Sequence, residues 1–95
     1  MKKTDIESIK GLCDEILTLC IRRMLKESQL TMTKRFRINA MEKGDSGELS
    51  VLCVKECKTQ EEIIELNRLI EEKDSDYEKL TGHSFVKLLK EENGR

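Results

Sequence analysis

The sequence predicts a small α+β domain with the element order α-β-β-α-α: a long N-terminal helix, an antiparallel β-hairpin and two C-terminal helices. Three observations predict it. Apolar residues in the first quarter recur at helical spacing. Those near 35–40 alternate at strand spacing. Gly44 and Gly47 mark a turn between two alternating stretches.

The first helix opens at Thr4-Asp5-Ile6-Glu7, which fits a capping box. Ile6, Ile9, Cys13, Ile16, Cys20 and Met24 then step by three and four, a helix stripe. Leu12, Leu17, Leu19, Ile21 and Leu25 widen it, so the helix is expected to touch more than one neighbour. Gly11, costing about 1 kcal/mol in a helix interior, is expected with Ser8 to admit a second backbone closely. The helix is expected to fade near Glu27–Gln29.

The spacing then changes. Phe36, Ile38 and Ala40 alternate with Arg35, Arg37 and Asn39, and Glu42–Gly47 reads as a turn. The second strand runs from Glu48 to about Cys57. Symmetric pairing sets Ala40 opposite Leu49, Ile38 opposite Val51 and Phe36 opposite Cys53 on a covered face. The outer face then carries Arg35, Arg37 and Asn39 beside Ser50, Leu52 and Val54. Thr59-Gln60-Glu61-Glu62 is expected to cap a helix ending near Lys73. Ser75-Asp76-Tyr77-Glu78 caps a short one stopped by Gly82, and Ser84 begins a last turn or helix with Phe85, Val86, Leu88 and Leu89.

Ninety-five residues make one domain, 1–95, with the last few residues frayed. Charged residues are 39% of the chain, yet the apolar periods argue for a folded domain. Only Phe36, Tyr77 and Phe85 are aromatic, so the core must be aliphatic and modest. Two strands alone are marginal, and a second copy supplies the missing cover. A homo-oligomer is therefore expected. No apolar run approaches the roughly 20 residues of a membrane span, and Met1–Glu7 lacks a signal-peptide core. A cytoplasmic protein without membrane contact is expected.

Chemistry is weakly signalled. Cys13 and Cys20 lie about 10 Å apart along a helix, and Cys53 and Cys57 roughly 13 Å apart along a strand. Neither pair then chelates zinc, and a mixed site with His83 has no local motif behind it. The thiols read as small apolar residues in a reducing compartment, with no metal or cofactor. His83 reads as a surface or capping residue, the paired glutamates as a solvated face, and no catalytic residues emerge. The chain is not expected to be an enzyme.

Charge is the sharper signal. Residues 21–40 carry the bases Arg22, Arg23, Lys26, Lys34, Arg35 and Arg37 with the single acid Glu27, while the tail half is acidic. Arg22, Arg23 and Lys26 also complement a helix C-terminus. The expected function is a self-associating adaptor or inhibitor module. It would bind an acidic protein surface through Arg35, Arg37, Leu52 and Val54, with Arg22, Arg23 and Lys26 in support. The alternative is nucleic-acid or phosphate-ligand binding through 22–37, which the scarcity of aromatics disfavours.

Overall fold

The computed structural model describes residues 3–93, with side chains from Asp5 to Glu92. Three helices make it up: α1 (Lys3–Lys43), α2 (Ser46–Thr81) and α3 (Phe85–Asn93). No strand occurs among the described residues, so the α+β class and the β-hairpin are both corrected to an all-helical fold. The physical reason lies in what is missing from the chain. Residues 12–43 and 48–81 contain neither glycine nor proline, so nothing stops a helix once begun. A helix also pairs its own interior amides, whereas two strands leave two open edges. The alternation at 35–40 is dispersed around α1: Ala40 is buried, but Phe36 and Ile38 are half exposed.

The chain divides into two compact units. The first joins residues 1–20 to 68–95. Its core is Ile16, Ile70 and Tyr77, with Ile9, Leu12, Cys13, Leu19, Cys20, Phe85 and Val86 packed around them. Tyr77 tilts against Phe85 at 5.2 Å between ring centres and meets His83 edge-on at 6.3 Å. Glu15 pairs with Lys73 at 3.1 Å. Gly11 has open space where a Cβ would sit, so no second backbone approaches it.

The second unit, residues 21–67, is a helical hairpin. Its seam positions are Arg23, Lys26, Leu30, Thr33, Arg37 and Ala40 on α1, and Leu49, Leu52, Glu56, Thr59, Ile63 and Leu66 on α2, with Glu62 and Asn67 partly covered beside the seam. Each row alternates steps of three and four, the spacing of a heptad seam. Half of the seam is polar. Thr33 and Thr59 are buried because each hydroxyl donates to the carbonyl one turn earlier, Gln29 at 2.8 Å and Lys55 at 2.9 Å. Thr59 therefore lies inside α2 and does not cap a helix, and Ser75 is likewise interior.

The true ends are chemically explicit. Gly44, at φ 71°, closes α1: its N–H donates to the Met41 carbonyl, and Asp45 N–H donates to that of Ala40. Asp45 then caps α2, accepting from Glu48 N–H at 3.0 Å. Gly82, at φ 84°, ends α2 as expected. Ser84 caps α3 by accepting from Lys87 N–H at 3.1 Å. Asp74, from within α2, accepts from the Phe85 and Val86 amides at 2.8 and 3.2 Å and from the Ser84 hydroxyl at 2.6 Å. Thr4 lies outside the described side chains; of the last residues expected to fray, Glu91 to Asn93 are helical in α3, and Gly94 and Arg95 lie outside the described residues.

Candidate functional site

The expected recognition surface takes a different form on helices. Leu52 is only 9% exposed and belongs to the seam, whereas Val54 is 69% exposed on the far side of α2. Arg37 is half-buried. Its Nε lies 2.7 Å from Glu56 Oε2, although that contact lacks hydrogen-bond alignment. Arg35 is exposed on the outer row of α1 with Ile21. The four residues proposed to share one sheet face thus fall on different helix faces, because residues two apart diverge by about 200° in a helix.

The supporting cations divide in the same way. Arg23 donates to Asn67 Oδ1 at 2.9 Å and lies 3.7 Å from Glu27. Lys26 pairs with Glu62 across the hairpin and holds the Glu62 carboxyl below its ordinary range, chiefly by that hydrogen bond. Arg22 is exposed beside Leu25 and Gln29, at a groove closed on the other side by Glu62, Glu65 and Leu66. The basic segment is therefore partly neutralised by the chain's own α2. No helix among the described residues is long and apolar enough to cross a membrane.

A different surface emerges along one flank of the hairpin. On α2 the row Ser50, Cys53, Cys57, Gln60, Ile64 and Asn67 advances by steps of three and four without a single charge. All but Asn67 are exposed. The α1 row beside it is Met24, Glu27, Thr31, Lys34, Ile38 and Met41. Met24, Ile38, Met41 and Ile64 are each more than half exposed. The opposite flank is much more charged: Arg22, Leu25, Gln29, Met32 and Phe36 face Val51, Lys55, Lys58, Glu62 and Glu65. The row carries no charge in a chain that is 39% charged.

The helix also changes the thiol geometry. Cys53 and Cys57 are both exposed and sit one turn apart on the same face, so the strand separation expected from the sequence does not hold. They share a shallow recess with Arg37, Glu56 and Gln60. Cys13 and Cys20 are half-buried in the first unit, where burial, followed by the neighbouring Asp14 charge, raises the Cys13 pKa. Among the described residues no three His, Cys, Asp or Glu side chains converge as a metal site. The signal for the flank was present in the sequence as a charge-free row at three-four spacing, hidden by reading 48–57 as a strand.

Compared with protein-family models, curated proteins and solved structures, the chain matches none.

Proposed function

We propose that this chain is a non-enzymatic, self-associating helical-hairpin module. The observation that carries the reading is the charge-poor flank, with Met24, Ile38, Met41 and Ile64 exposed around an uncharged α2 row. Its occupant is a second copy. A standard interface needs about 800 Å² from each partner, and Met24, Ile38, Met41 and Ile64 would form its apolar centre. Two copies meeting flank to flank about a two-fold axis would cover the same residues on both.

Arg35 and Val54 remain on the outer rows, away from this flank, and Arg22 on the opposite flank. Arg22 and Arg35 are the part of the basic segment left to meet an acidic protein partner, with Val54 as an apolar neighbour on α2's outer row. The nucleic-acid alternative is weaker, since Arg23 and Arg37 already face Asn67 and Glu56. A reducing, cytoplasmic setting suits four free thiols.

Light scattering on a size-exclusion column tests the reading. The native chain should elute at twice the monomer mass or more. Ile38→Glu combined with Ile64→Glu should return it to monomer with its helical circular dichroism intact. A monomeric native chain at high micromolar concentration would remove the reading.

A further inference from the structure

We infer that the flank of the hairpin opposite the charge-free row is a docking groove for an acidic amphipathic helix of another protein. The inference deepens the acidic-partner part of the reading above and is independent of self-association, which uses the other flank. Its starting point is a line of exposed apolar side chains. Leu25, Met32 and Phe36 are each half or more exposed. Their spacing of seven and four residues places them in one stripe along α1, about 16 Å from end to end. A lone exposed apolar side chain is ordinary, whereas an apolar stripe rimmed by polar residues marks an interaction surface.

The stripe borders a groove. One recess lies between Arg22, Leu25 and Gln29 of α1 and Glu62, Glu65 and Leu66 of α2. A second lies between Met32 and Phe36 of α1 and Lys55 of α2. Gln29 lines both, so the two follow each other along the hairpin. The furrow between two packed helices accepts the ridge of a third, and about three turns of it suit a partner helix with apolar anchors at three-four spacing. Charge then selects the sign of the partner. Lys26 and Glu62 already pair with each other across the groove. The remaining charges on the rim are Arg22, Lys55, Lys58 and Glu65, three bases against one acid. Carboxylates flanking the partner's apolar face would meet those cations, whose stems extend the apolar floor. An anionic lipid surface fits less well, because Glu62 and Glu65 stand among the bases.

Two fluorescent synthetic helices, each about 18 residues long so as to span the groove, test this. Both carry the same leucine stripe, one with glutamate and the other with lysine at the remaining positions. Anisotropy titration with the full-length chain should show the glutamate helix binding about tenfold tighter or more. Leu25→Ser with Phe36→Ser should abolish that binding, and Lys55→Glu with Lys58→Glu should weaken it about tenfold. Ile38→Ser with Ile64→Ser, on the other flank, should leave it unchanged. All six side chains are exposed, and circular dichroism checks that the variants remain helical. Equal binding of the two helices, binding that survives Leu25→Ser with Phe36→Ser, or no binding of the glutamate helix would overturn the inference. So would sedimentation with phosphatidylserine vesicles that is lost in that same double variant. A sizing column separates the two readings. A dimer that binds neither helix sinks the groove and leaves self-association standing, whereas a monomer that binds the glutamate helix does the reverse.

Discussion

Asp74 closes the start of α3 from inside α2, accepting two backbone amides and one hydroxyl with a single carboxylate. A nine-residue helix is too short to persist alone in water. It therefore depends on this clamp and on Phe85 and Val86 packing near Tyr77. Asp74→Ala should cost about 1–2 kcal/mol, read as a lower urea midpoint with selective loss of amide-exchange protection in α3. Ile16 is fully buried, so Ile16→Ala should cost about 2–4 kcal/mol. The glycines behave oppositely. Gly11 sits in a helix with free space around it, and Gly11→Ala should raise stability by about 1 kcal/mol. Gly44 holds a left-handed backbone, and Gly44→Ala should lower stability by about 1 kcal/mol. Thermal melts of the two variants should shift in opposite directions.

At the scale of the elements, the hairpin seam mixes Leu30, Ala40, Leu49, Leu52, Ile63 and Leu66 with the Arg37–Glu56 pair and two threonines. An ion pair half removed from water gives little net stability, but it penalises any register that separates its partners. Replacing Arg37 and Glu56 together by leucine should raise the melting temperature and broaden the distribution of assembled species on a sizing column. Glu56→Leu alone strands the Arg37 guanidinium and should lower the melting temperature.

The same seam explains what the sequence made legible. The first half of α1, the break at 42–47, the stop at Gly82 and the helical start at Ser84 could all be read, because apolar spacing and glycine marked them. The middle could not. Arg23, Lys26, Thr33, Arg37, Glu56 and Thr59 occupy seam positions, and polar residues there look like outward-facing ones to any reading based on apolar periodicity. With those positions discounted, only the short 36-38-40 alternation remained, and it matched a strand. Thr59 and Ser75 carry capping signatures, but their flanks lack any helix breaker, and α2 runs through both. The candidate flank was missed for the same reason: its thiols become neighbours only when 53 and 57 are one turn apart.

For the molecule as a whole, ionisation sets a broad stability plateau. Lys26 lowers the Glu62 pKa, so that group's contribution is complete above about pH 4.5 and fades as pH falls through the lower folded value. Glu15 raises the Lys73 pKa, giving a contribution that is complete below about pH 10.5 and lost at higher pH. Burial and the Asp14 charge raise the Cys13 pKa, so its contribution declines once pH exceeds about 9.0. Urea midpoints should stay level from roughly pH 5 to 9 and fall on both sides. Glu62→Gln should soften the acid limb only slightly, because an exposed pair is weak.

The two compact units differ in how their pieces are strung along the chain. Residues 21–67 are consecutive and fold back through one short connection, whereas the other unit must bring residues 1–20 to 68–95. Closing that wider span carries the larger entropic cost. During synthesis residues 21–67 are complete before 68–95 emerge, so the hairpin is expected to form before residues 1–20 meet their partners.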